Sequence, residues 1–206
     1  LDSVPGASKL GEGADSVPVL RGLARGRTLI LLDGARVSAE RRAGPSATFV
    51  DPRGLAAVEV LRGPSSVTYG SDAFGGVIHA VTRDPELDRA AVWLAADGSF
   101  GGEERASGFV AASVPIGGAG LLVEAHGADG RGQEAGDGVA IFNSSFASVG
   151  GAFRFLVPLG SGRLRASLQV ERVDDLGKTA SDSRLVRSVY PREDADRLVL
   201  SWIADP

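Results

Sequence analysis

VEVLRGPSSVTYGSDAFGGVIHAVTRDP, residues 58–85, decides how the rest of the chain is read. Val58, Val60 and Leu61 make a short apolar run. Arg62, Gly63 and Pro64 end it, because proline has no N–H to give a strand ladder and glycine admits turn angles. Tyr69, Gly70, Ser71 and Asp72 form a second turn cluster, and the Gly75-Gly76 pair lets two backbones approach closely. Val77, Ile78, Ala80 and Val81 then give a β-rich run with His79 inside it. The order is strand, turn, glycine-rich loop, strand.

Upstream, Val17, Val19 and Leu20 form a short strand ended by Arg21-Gly22. Residues 28–32, TLILL, read as a strand buried on both faces, and Asp33-Gly34 as a tight hairpin turn. Residues 1–16 carry no period and read as a ragged lead-in. Residues 38–53 are polar and turn-rich.

Together these residues resemble the plug-domain signature of TonB-dependent outer-membrane receptors. The resemblance rests on E-V-L-R-G-P-S-S, Y-G-S and A-x-G-G-V-I in residues 58–78, preceded in the family's order by R-G-L at 21–23 and L-x-D-G-x-R at 31–36. The motifs cover residues 17–85. The resemblance implies a plug over 1–85 and barrel strands over 86–206. It also implies that the loop at 38–53 is the plug apex facing the ligand, with Arg41, Arg42, Ser46, Thr48, Asp51 and Arg53 as candidate contacts. Cationic and hydroxyl groups suit an anionic iron chelate or a propionate-bearing porphyrin. Arg21, Glu59 and Arg62 match residues that join plug to barrel wall by ion pairs in the family. The implied partners are a TonB-type energy-transducing protein, an iron chelate, haem or cobalamin, and outer-membrane lipid. The short coupling box that binds the energy transducer is not recognisable in these residues.

From residue 89 onward the texture changes. Six segments of about ten residues each, near 90–98, 104–115, 119–128, 147–157, 163–173 and 195–204, read as strands long enough to cross a bilayer when tilted. In the fifth, Leu164, Ala166, Leu168 and Val170 fall on one face and Arg165, Ser167, Gln169 and Glu171 on the other. In the third, Leu121, Val123 and Ala125 oppose Glu124 and His126. Glycine turns follow Pro115 and Pro158, whereas about twenty residues separate strands three and four, and five and six. Alternating short turns and long loops is the habit of outer-membrane barrels. Plugged transporters have about 22 strands, so six give only part of a barrel. The expected fold is a mixed α+β plug followed by antiparallel transmembrane β-barrel strands, the barrel incomplete.

Composition agrees. The 206 residues include 29 Gly and 10 Pro, which favours many turns. Aromatics are only 6%, thin for a water-soluble core, yet mean hydropathy is slightly positive. A net charge of −4 argues against a nucleic-acid partner. With no Cys, disulfides and thiolate metal sites are excluded. The chain has no Met and begins at Leu1, which reads as a mature product or a fragment. No apolar stretch approaches the roughly 18 residues of a transmembrane helix.

No catalytic constellation emerges and no cofactor is implied. Gly177-Lys178-Thr179 resembles the tail of a phosphate loop, but Arg172 stands where that loop needs glycine. His79 lies inside a plug-like strand and reads as structural. His126 reads as facing the barrel lumen or a loop. The acidic stretch 129–137 lacks the spacing of a helix-loop-helix calcium site. The reading is therefore an energy-coupled receptor and not an enzyme. The alternative is a secreted or surface-exposed all-β binding module without transport activity. That module would need Leu164, Ala166, Leu168 and Val170 packed inside and the polar set facing water.

Overall fold

In the computed structural model the described residues are 4–10, 17–37, 50–134, 137–177 and 189–204. Two compact units divide the chain, Leu1–Thr82 and Arg83–Pro206.

The first unit contains a two-stranded antiparallel sheet, β1 (Ala7–Leu10) with β2 (Val17–Leu20). It also contains a mixed sheet of β3 (Thr28–Leu32), β4 (Ala35–Arg36), β5 (Leu55–Arg62) and β6 (Gly76–Thr82) in the order β4-β3-β6-β5. β3 and β6 run parallel. All five residues of β3 are buried, as a run of apolar residues in a parallel pair requires. Alternation then distributes them. Leu29 and Leu31 join Ala73 and Val77, with Tyr69 against them. Ile30 and Leu32 join Val37 and Ala80, with Val50 and Leu55 against them. The double burial expected for residues 28–32 is thus two small cores, one on each face of a single strand.

Two details differ from the sequence reading. The lead-in contains β1, a strand with no apolar period of its own that exists through its ladder with β2. One helical turn, α1 (Ser66–Tyr69), stands between β5 and β6. The close approach read at Gly75-Gly76 is present. Gly75 N–H donates to the Arg27 carbonyl at 2.7 Å, and a Cβ on Gly75 would lie 2.9 Å from the Leu20 carbonyl oxygen. Gly76 has φ +142°, and a side chain there would strike the Leu61 carbonyl.

The second unit is a meander: β7 (Ala91–Ser99), β8 (Glu103–Ile116), β9 (Ala119–Glu134), β11 (Phe146–Leu159), β12 (Gly162–Gly177) and β13 (Val189–Ala204), each antiparallel to the next, with the two-residue β10 (Ala140–Ile141) attached to β9. All six expected strands are present in the expected order. Among the described residues the sheet is open, with β7 and β13 at its edges. The strands run longer than the alternation of apolar residues indicated. Past the apolar positions the same face continues with Asp129 and Arg131 on β9 and with Arg172 on β12, so the ladder outlives its greasy stripe.

Burial in this sheet is inverted relative to a water-soluble protein. On β12, Leu164, Leu168 and Val170 are 40 to 43% exposed, while Arg165, Ser167, Gln169 and Glu171 are 5 to 7% exposed. The register lines up the apolar set across strands: Leu198, Leu168, Phe153, Val123, Ala112 and Val92 occupy one continuous row. Along β11 the exposed face runs from Val149 to Leu159. Ten steps of about 3.3 Å, tilted by about 40°, give a band about 25 Å tall, the height of the apolar belt on a transmembrane barrel. A soluble sandwich needs the opposite assignment of faces. The wall is built to meet hydrocarbon on the outside and polar matter on the inside.

Candidate functional site

Of the six residues expected at the plug apex, Arg41, Arg42, Ser46 and Thr48 lie outside the described residues. Asp51 and Arg53 are described, and they are turned on each other. Arg53 donates from Nε and Nη2 to the two Asp51 carboxylate oxygens at 2.9 and 2.7 Å, and its backbone N–H adds a third bond at 2.8 Å. The Asp51 carboxylate thereby caps the 3₁₀ turn Pro52–Gly54, where Pro52 sits at a first-turn position that needs no N–H. Their charges cancel locally, so an anion approaching residues 51–53 meets little net charge.

Arg21 and Arg62, expected from the resemblance to pair with the barrel wall, both bond to the N-terminal segment, Arg21 through its main chain and Arg62 through its side chain. Arg62 Nη1 donates to the Pro5 carbonyl at 3.0 Å, and Arg21 N–H donates to the Gly6 carbonyl at 2.7 Å. Glu59 lies within β5 and meets His79 on β6, Oε2 to Nδ1, at 3.1 Å. His79 Nε2 accepts from the Gly34 N–H at 3.0 Å, which leaves Nδ1 as the protonated nitrogen facing Glu59. His79 is structural here, tying the Asp33-Gly34 hairpin to β5.

Arg36, the arginine of the hairpin motif, had no assigned role in the sequence. It binds Asp72 Oδ2 at 2.6 Å and the carbonyls of Tyr69 and Ser71 at 3.3 and 3.1 Å. One guanidinium fork thus joins the L-x-D-G-x-R hairpin to the Y-G-S turn. The two motifs are two halves of one hydrogen-bonded unit.

The second unit carries its polar chemistry on the inner face of the wall. Arg154 on β11 and Glu124 on β9 form a double-pronged pair at 2.6 and 3.2 Å, with both side chains under 4% exposed. In the next row but one, His126 on β9, Gly150 on β11 and Glu171 on β12 stand side by side in register. Glu171 reaches across Gly150 to His126 Nε2 at 3.0 Å and accepts from Gln169 Nε2 at 3.0 Å. A Cβ at Gly150 would occupy the space of the Glu171 carboxylate. His126 therefore faces the inner side, in the middle of a strand of sixteen residues. Sequence reading missed both pairs. Their separations of 30 and 45 residues hide them, although the short turns after β8 and β11 fix the register that brings them together. Gly150→Ala is expected to expel Glu171 from His126 and to lower the stability of the folded wall by about 1–3 kcal/mol, the cost of stranding a buried polar group. Denaturant unfolding in detergent micelles measures it.

No group of three or more His, Cys, Asp or Glu side chains able to hold a metal ion occurs among the described residues. What the arrangement offers is a hydrogen-bonded hairpin domain and a membrane-facing wall with a charged inner surface.

Comparison with known proteins agrees with this division. A family model of the TonB-dependent receptor plug domain matches residues 1–77. The chain is 39% identical over 85 residues to the vitamin B12 transporter BtuB of Vibrio vulnificus, a match covering 40% of this chain and 14% of that protein. It is 40% identical over 90 residues to an iron-regulated outer membrane virulence protein of Vibrio cholerae, again 40% of this chain and 14% of that protein. Among solved structures, the copper transporter OprC superposes with a TM-score of 0.78 at 17% identity, covering 99% of this chain and 31% of the other. The last likeness is one of fold. The chain thus spans about a seventh of the curated relatives it matches. The plug-domain match and the outer-membrane relative place it in the bacterial outer membrane.

Proposed function

We propose, from the premise that this chain carries the plug domain of the TonB-dependent receptors, that it forms the plug and part of the barrel wall of an energy-coupled outer-membrane transporter. A scarce ligand, an iron–siderophore, haem or cobalamin, binds from outside. A TonB-type energy-transducing protein then acts on the plug, and the ligand passes inward with no covalent step.

The observation that carries this reading is the pairing of a plug with a wall whose apolar face is exposed and whose polar face is buried. A binding module in water has no use for Leu164, Leu168, Phe153 and Leu198 on one open surface. We assign ligand contact to Arg41, Arg42, Ser46 and Thr48, with the paired Asp51 and Arg53 following them in sequence. Two adjacent arginines and two hydroxyls favour an anionic ligand.

The test uses the full-length protein expressed in an outer membrane lacking other receptors for these ligands. Uptake of labelled cobalamin, haem and ferric siderophore is measured with and without the energy transducer. One of the three is expected to accumulate only when the transducer is present. Uptake that ignores the transducer, or none for any of the three, overturns the reading.

A further inference from the structure

Arg105 stands apart from the paired charges on the inner face of the wall. Arg154 is held by Glu124, and His126 by Glu171. Arg105, on β8, is exposed, and among the described residues its guanidinium makes no ion pair and no hydrogen bond. It lies instead over the Phe146 ring, 5.8 Å from the centroid, within reach of a cation–π contact.

The ladder explains why these two side chains meet. Arg105 on β8 and Phe146 on β11 both pair with Gly130 on β9, the strand between them. Gly130 is buried and has no side chain to part them. A Cβ there would stand 2.5 Å from Phe146 Cε1, so the ring lies over the Gly130 backbone and reaches toward Arg105. An aromatic surface and an unpaired guanidinium thus share one row.

The next row toward the short turns is low. It holds Ser107, Ala128 and Ser148 in register. Asp97 ends that row on β7, 3.5 Å from Ser107 Oγ. The row beyond it rises again with Phe109 and His126. The recess between the two higher rows is about 13 Å long, four residues of about 3.3 Å each, and about 10 Å wide across three strands. Arg105 and Phe146 form one end of it, and His126, bonded to Glu171, forms the other.

We propose that this recess binds the transported ligand through a flat aromatic ring with an acidic edge. The ring lies against Phe146, the acidic group meets Arg105, and the hydroxyls of Ser107 and Ser148 line the floor. This rests on the transporter reading above and names its ligand class. Phe146 offers a face for offset stacking. Arg105 offers a planar fork to a carboxylate or phenolate. Gly130 is a positioning residue and touches no ligand. Haem and a ferric catecholate share the required chemistry. Cobalamin does not, because its ring carries axial groups on both faces and amide arms at its edge.

The test measures binding to the full-length receptor in detergent, with no energy transducer present. Haem is titrated by its Soret absorbance, and a ferric tris-catecholate and cobalamin by equilibrium dialysis. The wild type is expected to bind haem or the catecholate, which identifies the source of the ring, and to bind cobalamin at least about tenfold more weakly. Phe146→Ala, Arg105→Gln and Gly130→Ala are each expected to weaken binding about tenfold, and Arg105→Lys, which keeps the charge and loses the fork, about threefold. Val149→Ala, on the opposite face of β11, is expected to stay within about twofold. Migration as a folded barrel on unheated gels shows which variants are intact. Losses under about twofold in both intact Phe146→Ala and intact Arg105→Gln overturn the proposal, as does cobalamin binding tightest of the three. Either result leaves transducer-dependent uptake, and with it the transporter reading, standing. A wild type that binds none of the three also overturns the proposal, and the uptake assay then decides separately whether the transporter reading falls with it.

Discussion

Leu168→Arg in the full-length protein refolded into lipid vesicles is expected to lower stability by about 2–4 kcal/mol, the cost of a guanidinium at the middle of a lipid-facing barrel wall. Leu168 is 43% exposed, lies opposite Phe153 and Leu198, and sits near the centre of the apolar band that β11 carries from Val149 to Leu159. If this face met water, an exposed leucine replaced by arginine would change stability by no more than about 0.5 kcal/mol. The two environments differ by several-fold in expected effect. Arg172→Leu supplies the control. Arg172 lies on the same face beyond the band, where its Nε meets Asp194 Oδ1 at 3.2 Å with both side chains about half exposed. A pair so open to solvent contributes little, and its loss is expected to leave stability nearly unchanged. Denaturant titration of both variants in vesicles measures the difference, and equal small effects would mean the exposed face is not lipid-facing.

What the sequence made legible follows from how far each signal reaches. The six wall strands were readable because period-two alternation is a local property, and Leu164, Leu168 and Val170 announce their face within seven residues. Their full lengths were not, because Asp129, Arg131 and Arg172 continue the outer face with charge, and only the neighbouring strand reveals the ladder. β1 was invisible for the same reason: Ala7–Leu10 gains its conformation from β2 and not from its own residues. The plug motifs were readable in order, yet Arg36 was passed over although it lies inside a quoted motif. Its partners Tyr69, Ser71 and Asp72 sit more than thirty residues away, and only the parallel pairing of β3 with β6 brings them to it. Arg62 likewise finds a partner that its motif does not announce. A motif fixes which residue is present, while its partner depends on where the neighbouring chain runs, here past Pro5 and Gly6.

Arg154 and Glu124 give the second large effect, and its sign depends on how many partners are removed. Glu124→Leu leaves the Arg154 guanidinium buried, 1% exposed, without its two carboxylate contacts, and is expected to cost about 3–5 kcal/mol. Arg154→Met strands the carboxylate and belongs in the same range. The double variant Glu124→Leu with Arg154→Met removes both charges and fills similar volume, so it is expected to lie within about 1 kcal/mol of the wild type, because desolvating two ions consumes most of what their attraction returns. The coupling between the two positions should then approach the sum of the two single losses, the behaviour of groups that share one interaction. Adjacent residues set the background: Leu122 and Ala152 are fully buried on the same face, so an apolar replacement finds apolar neighbours. The second half of the experiment separates stability from transport. If the pair serves only to hold β9 against β11, the double variant keeps both its stability and its uptake. If the double variant is stable but takes up ligand at less than about a tenth of the wild-type rate, the charges themselves are needed inside the wall and not merely their fit. Unfolding titrations on the four proteins of the cycle, followed by uptake with the stable ones, decide between a brace and a working part of the channel.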